Sequence, residues 1–134
     1  MRTDLRFPRM WLVIGWSMVM FVVVTCMLPA PVIEPVAELL WDKAEHALAF
    51  FGMTLWFCGL YPASKWRKVA IAFLLLGIGI ELAQGAFTTT RAADVHDAIA
   101  DTVGVLAALL VAWLGLKDWA RMLERLLPGS GPRV

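Results

Sequence analysis

The side chains that could do acid–base or metal chemistry are concentrated in three short segments of the sequence. They are Asp42, Lys43 and His46; Glu81 and Gln84; and Arg91, Asp94, Asp97 and Asp101. Most neighbours within a segment are three or four positions apart, so in a helix they would share one face. Carboxylates that lie close to an imidazole serve as general acids and bases, or as ligands of a divalent cation. We therefore treat these residues as one candidate site.

Carboxylates outnumber fixed cations in this set. The carboxylates are Asp42, Glu81, Asp94, Asp97 and Asp101, and the fixed cations are Lys43 and Arg91. If the segments converge, like-charge repulsion has to be relieved by protonation or by a bound cation. Three alternatives stay open: an acid–base pair, a divalent cation such as Mg²⁺ held together with His46, and a site that accepts a cationic group. The sequence contains no complete metal-ligand motif that would decide between these alternatives.

The elements that must position these residues are membrane helices. The chain has 134 residues, of which 60% are hydrophobic and 17% are charged, and its mean hydropathy is +0.73. Apolar stretches cover about residues 10–28, 44–61, 69–84 and 98–116. With its flanking turns, each stretch reaches the roughly 20 residues that cross a bilayer, and no stretch alternates as a strand would. The sequence therefore predicts an all-α membrane protein: a single domain over residues 1–134, built as a bundle of four transmembrane helices in the lipid bilayer.

The charges of the loops predict the orientation of this bundle. All but two of the twelve Lys and Arg residues precede the first stretch, lie between the second and third, or follow the fourth. Basic loops stay in the cytoplasm, so both termini are predicted inside and the candidate site at the outer face. The run Met10–Leu28 exceeds the roughly 7–15 apolar residues of a secretory signal, which favours a retained helix. The formal net charge of +1 excludes a generic nucleic-acid binder.

Shorter elements complete the predicted architecture. Residues 117–134 are expected to form a cytoplasmic amphipathic helix and a frayed tail, and Glu38–Trp41 a short helix in the outer interface. The fourth stretch continues the face of Asp101 as a ridge of small residues, Gly104, Ala108 and Ala112. Such a ridge suits the close approach of another helix and is compatible with a homo-oligomer.

Each candidate site residue also has a purely structural interpretation. Asp42 and Lys43 are typical of a solvated helix start, and Asp94 of an N-cap. His46 would then be a hydrogen-bonded histidine of the bundle. Glu81 would form an ion pair with Lys43 or with Arg91. The convergence of three separate segments at one membrane depth favours a site over these separate interpretations.

The pattern resembles the VanZ-like family of small bacterial membrane proteins. The matching positions are Asp42-Lys43-x-x-His46 with Phe50, Glu81-x-x-Gln84, Arg91, Asp97, Asp101 and Gly104. The resemblance covers about residues 42–112; Asp101 stands where asparagine is more usual, and Ala108 replaces a frequent glycine. It implies a multi-pass protein of the bacterial cytoplasmic (inner) membrane and an association with low-level teicoplanin resistance. It supplies motif positions but no catalytic residues, because the molecular activity of the family is not established.

Two hypotheses follow. In the first, the cluster binds or modifies a lipid-linked envelope precursor or a glycopeptide-related surface ligand at the outer leaflet. Glu81 or Asp97 would be the general acid or base, and His46 a proton shuttle or ligand. Gln84 would orient the bound group, and the two fixed cations of the set would hold its anionic part.

The second hypothesis is a non-enzymatic binding or scaffold protein. Its polar cluster would be a fully paired network that fixes helix register, and the small-residue ridge would carry association. A transporter is a weaker third idea, since four helices leave little room for a pathway without oligomerisation. The scaffold hypothesis predicts that Glu81→Gln and Asp97→Asn lower the abundance of the protein, because each change leaves a buried partner unpaired.

Overall fold

The computed structural model describes residues 1–28, 35–89 and 93–127, and within them the chain is helical, with no strand. The helices are α1 (Pro8–Met27), α2 (Pro35–Leu60), α3 (Trp66–Phe87), α4 (Val95–Leu114) and α5 (Trp119–Leu126). Short 3₁₀ turns at Ala63–Lys65 and Leu116–Asp118 precede α3 and α5. The predicted all-α class is confirmed for this part of the chain.

Three of the described helical segments are long and apolar enough to cross a membrane: Pro8–Met27, Ala63–Phe87 and Val95–Leu114. The remaining long helix, α2, has 26 residues but carries the polar segment with Asp42, Lys43 and His46 in its first half. The protein therefore has the helices of a membrane protein, with α2 as the most polar of the four long ones.

The start of α2 differs from the prediction. The apolar stretch indicated a helix from about residue 44 and a separate short helix at Glu38–Trp41, but α2 is continuous from Pro35. Proline is favoured in the first turn of a helix, and no helix-breaking residue follows it before the apolar part. Hydropathy indicates which part of a helix lies in apolar surroundings. It does not indicate where the helix begins, which depends on backbone hydrogen bonding and on helix-breaking residues.

The closest helix packing is between α2 and α4. A Cβ added to Gly104 would collide with the backbone carbonyl of Ala47 and the backbone N–H of Phe51, so the two helices approach at backbone contact. Further along the same ridge, Ala108 and Ala112 are fully buried. The predicted small-residue ridge is therefore used inside the bundle, between helices of one chain.

The interior of the bundle is apolar and rich in phenylalanine, and its outside is apolar as well. The main core cluster has at its centre Phe50, Met53, Phe57, Phe73 and Val105. Large hydrophobic side chains such as Val13, Phe21, Leu75, Leu110 and Trp113 point outward and are exposed. An apolar exterior on this scale is typical of helices that contact lipid.

The N-terminal segment and α5 close one end of the bundle together. The buried carboxylate of Glu124 accepts hydrogen bonds from the backbone N–H groups of Arg6 (2.7 Å) and Phe7 (2.9 Å) and from Trp11 Nε1 (2.7 Å). Burial acts to raise the pKa of Glu124, but these donors outweigh it and hold the pKa below its ordinary value of 4.5. The side chain of Asp118 binds Arg2 at 2.7 Å, and this bond lowers the pKa of Asp118.

This end is further fixed by aromatic packing. The indoles of Trp11, Trp56 and Trp119 contact one another, with centroid distances of 5.7, 5.5 and 4.5 Å. The backbone N–H of Arg2 donates to the carbonyl of Leu60, the last residue of α2. Residues 2–7 and 118–124 therefore lie at the same end of the bundle, around the last turn of α2.

The predicted amphipathic helix near the C-terminus is present as α5. Its Ala120 and Glu124 are buried against the bundle, while Met122, Leu123 and Leu126 are exposed. The apolar stripe of Met122, Leu123 and Leu126 is therefore not covered by the described part of the chain, whereas Trp119 of the same helix packs on Trp11 and Trp56.

Candidate functional site

The first half of α2, the end of α3 and the start of α4 meet toward the end of the bundle opposite α5. The polar side chains at this place form one cluster, with a more exposed outer half and a buried inner half. In the outer half, the ammonium group of Lys43 connects α2 to the start of α4. It binds Asp94 Oδ2 at 2.7 Å and Asp97 Oδ1, and it lies 3.8 Å from Asp42 Oδ2. The predicted convergence of Lys43 with these carboxylates is thus present in the structure.

The inner half of the cluster lies deeper between the helices. His46 Nδ1 is 2.9 Å from Asp101 Oδ1, and His46 Nε2 is 3.8 Å from Asp97 Oδ2. Glu81, on α3, lies beside this pair. One ring nitrogen of His46, one carboxylate oxygen of Glu81 and one carboxylate oxygen of Asp101 all lie within 4.8 Å of one another. All of these side chains are buried.

Asp94 connects the two halves and begins α4. Its Oδ1 accepts the backbone N–H of His96 at 2.8 Å, which is the N-cap geometry expected for this residue. Its own backbone N–H donates to Glu81 Oε2 at 2.8 Å. The Lys43 ammonium, followed by the N–H and ring nitrogen of His96, holds the pKa of Asp94 well below its usual range. Asp94 is therefore both an N-cap and an ion-pair partner.

Two carboxylate oxygens in the inner half have no hydrogen-bond partner within the part of the chain that the structure describes. These atoms are Glu81 Oε1 and Asp101 Oδ2. Water cannot easily replace the missing partners, because Glu81 is only 6% and Asp101 only 1% exposed. Asp101 Oδ2 lies over Gly77 of α3, where an added Cβ would come within 2.7 Å of it. A buried carboxylate oxygen without a donor costs free energy, so the inner half is incompletely satisfied.

Two residues predicted for the site lie elsewhere or are not described. Gln84 is buried, but its Nε2 donates to the backbone carbonyl of Cys26 on α1 at 2.9 Å. Its side-chain amide therefore connects α3 to α1. Arg91 lies outside the described residues.

Gly77, which the sequence marks as a place for close helix approach, makes room for the side chain of Asp101. Its signal was its position one helical turn before Glu81, on the same face of α3. Sequence reasoning missed Glu124, because its role depends on the N-terminal segment that folds against it.

Two groups of side chains have the composition and spacing of a metal site. One consists of Asp42, His46 and Asp97, and the other of His46, Glu81 and Asp101, with the ligand atoms of each group within 4.8 Å of one another. Lys43 already neutralises the first group through Asp97 and Asp42. The second group contains the two unpaired oxygens.

The fold and this cluster define a helical protein of membrane type, with a mostly carboxylate site enclosed between three helices at one end. The particular family follows from comparison with known proteins. The chain matches the model of the VanZ/LLP1 family over residues 7–116, a range that contains α1 to α4, and it belongs to this family. No curated protein and no solved structure matches the chain.

Proposed function

We propose that the protein is a four-helix membrane protein of the bacterial cytoplasmic membrane, with both termini in the cytoplasm. The basic residues at the α5 end support this orientation through the positive-inside rule. The cluster of α2, α3 and α4 then faces the outer leaflet. The exposed apolar stripe of α5 suits a helix that lies in the inner membrane interface.

We further propose that the outer cluster binds or modifies a lipid-linked or surface group of the cell envelope. The observation that carries this proposal is the pair of buried, unpaired oxygens, Glu81 Oε1 and Asp101 Oδ2. A side-chain network selected only for stability would satisfy these atoms or replace them with apolar groups. Buried carboxylates with an unpaired oxygen are instead typical of groups that take up a proton or a ligand.

The contacts refine the roles of the individual residues. Lys43 is bound by Asp94 and Asp97, so its ammonium is not free to hold a phosphate or another anion. Glu81, with one oxygen unpaired, is the best placed general acid or base, and His46 the neighbouring proton shuttle or ligand. Among the described residues of the cluster, Lys43 is the only lysine or arginine, so no second fixed cation of this part of the chain is available for an anionic substrate group.

Binding in lipid nanodiscs tests this proposal. We would titrate a polyprenyl-phosphate-linked sugar against the full chain, Glu81→Gln and Asp97→Asn, with the exposed Glu45 changed to Gln as the matched control. The proposal expects at least a tenfold weaker affinity for the two cluster variants, unchanged binding by the control, and normal folding of all three. Teicoplanin susceptibility of a Gram-positive host that expresses the same set gives a second readout, in which the cluster variants lose any protection.

A specific observation also favours the scaffold alternative. The pairs Lys43–Asp97 and His46–Asp101 join α2 to α4 and are mostly buried, as expected of a network that fixes helix register. If the nanodisc titration finds no binding, and the cluster variants lose folded protein rather than affinity, the scaffold function replaces the proposed one.

A further inference from the structure

The inner half of the cluster has the chemistry of a cation site. His46, Glu81 and Asp101 come from three different helices and bring one imidazole and two carboxylates to within 4.8 Å in a buried position. Two of the carboxylate oxygens, Glu81 Oε1 and Asp101 Oδ2, accept no hydrogen bond from the described residues. A buried, unpaired carboxylate oxygen is unfavourable unless a proton or a cation completes it.

Lys43 does not supply this cation. Its ammonium is bound by Asp94 at 2.7 Å and by Asp97, in the outer half of the cluster. The group formed by Asp42, His46 and Asp97 is therefore already neutralised by a lysine. Within the described residues, no lysine or arginine forms an ion pair with Glu81 or Asp101.

We propose that His46, Glu81 and Asp101 bind one divalent transition-metal ion, of the Zn²⁺ or Mn²⁺ type. An imidazole nitrogen favours such ions over Mg²⁺ and Ca²⁺, which take almost exclusively oxygen ligands. A Zn²⁺ ion with ligand distances of about 2.0–2.2 Å holds its ligand atoms roughly 3.4 Å apart. Ligand atoms already within 4.8 Å of one another reach that spacing with small side-chain rotations.

Three protein ligands leave a coordination position open, as in metal sites that act on a substrate. The ion would supply the positive charge that Lys43 does not offer, and an anionic oxygen of an envelope group would be its natural fourth ligand. This last step rests on the proposed function, whereas the metal site itself does not.

Metal titration of the purified full chain tests the inference without any lipid ligand. After treatment with a chelator, the protein in detergent is titrated with Zn²⁺ by calorimetry and with Co²⁺ by visible absorption. We expect one equivalent of each ion per chain, at least tenfold weaker binding for Glu81→Gln and Asp101→Asn, and no displacement by an equal concentration of Mg²⁺.

Two controls fix the location of the ion. Asp42→Asn removes a ligand of the outer group only, so it leaves the affinity unchanged if the inference is right. Glu45→Gln removes an exposed carboxylate of the same helix and controls for the loss of charge. X-ray absorption of Zn²⁺ bound to the unaltered chain reports the ligands without any variant, and we expect one imidazole, oxygen ligands and no sulfur.

The inference is overturned if the chain binds no Zn²⁺, if Asp42→Asn abolishes binding while Glu81→Gln does not, or if the absorption spectrum lacks imidazole. Because the titration contains no envelope group, these outcomes leave the proposed binding of such a group to be judged by the nanodisc experiment. Failure of the nanodisc experiment likewise leaves a measured metal site in place.

Discussion

Gly104 controls how closely α2 and α4 approach, and a single methyl group there has a calculable effect. In Gly104→Ala, the new Cβ meets the backbone carbonyl of Ala47 and the backbone N–H of Phe51. Backbone atoms of a helix cannot rotate away as a flexible side chain can, so α2 as a whole must shift. Overpacking of this kind costs typically about 1–3 kcal/mol, and the rigid neighbour places this case at the upper end.

A matched control separates this clash from the change in helix propensity. Replacing glycine by alanine within a helix stabilises it by roughly 0.5–1 kcal/mol. Gly79 on α3 has no atom within 4 Å of an added Cβ, so Gly79→Ala keeps the gain without the clash. We expect Gly104→Ala to lose about 1–2 kcal/mol of unfolding free energy and Gly79→Ala to gain up to about 1 kcal/mol.

Titration with sodium dodecyl sulfate in mixed micelles measures both free energies of unfolding. The helix shift should also weaken the candidate site, because Ala47 follows His46 and Gly104 lies one turn after Asp101 on the face of α4. Metal binding by Gly104→Ala is therefore expected to be weaker than that of Gly79→Ala. Equal unfolding free energies for the two variants would refute the backbone contact between α2 and α4.

Three further predictions concern other contacts. Gly77→Ala places a Cβ 2.7 Å from Asp101 Oδ2 and should be less stable than the Gly79→Ala control by about 1–2 kcal/mol in the same titration; equal stability would contradict this contact. Lys43→Met removes the ammonium that binds Asp97 and should lower the free energy of unfolding by about 2–3 kcal/mol, less than the roughly 3–5 kcal/mol of a fully buried pair. Adding Asp97→Asn should restore most of this loss, and a double variant as unstable as Lys43→Met would contradict the pairing. Glu124→Gln should lose about 1–3 kcal/mol at neutral pH, since an amide cannot accept from all three donors. Folding lowers the pKa of Glu124, so the stabilisation from its carboxylate is lost as the pH falls below 4.5. Plots of unfolding free energy against pH for Glu124→Gln and the unaltered chain should therefore converge in acid, and parallel plots would refute this role of Glu124.

Hydropathy and helical spacing were sufficient to predict the helices and the convergence of the polar segments. The number and placement of apolar stretches indicated the long helices, and the spacing of Asp97 and Asp101 placed them on one face of α4. The start of α2 was mispredicted because a helix that leaves apolar surroundings continues without a hydropathic signal, as it does back to Pro35.

The pairing of individual side chains could not be predicted from the sequence. Spacing placed Glu81 and Gln84 on one face of α3, but only the packing of α1 determines that Gln84 donates to Cys26 while Glu81 accepts from Asp94. A helix face is wide enough to contact two neighbours, so residues on one face need not share one site. The unpaired oxygens that distinguish a site from a network are likewise a result of three-helix packing.

The central claim is that the buried carboxylates form a functional site rather than a stabilising network, and the unfolding free energy of metal-free Glu81→Gln tests it most directly. Glutamine keeps an oxygen for the Asp94 N–H and removes the charge from the unpaired Oε1. A site held at a cost in stability predicts that this variant is as stable as the unaltered chain or more stable by about 1 kcal/mol, while its binding is lost. A clear fall in unfolding free energy, with binding unchanged, would contradict the claim and make Glu81 a structural residue.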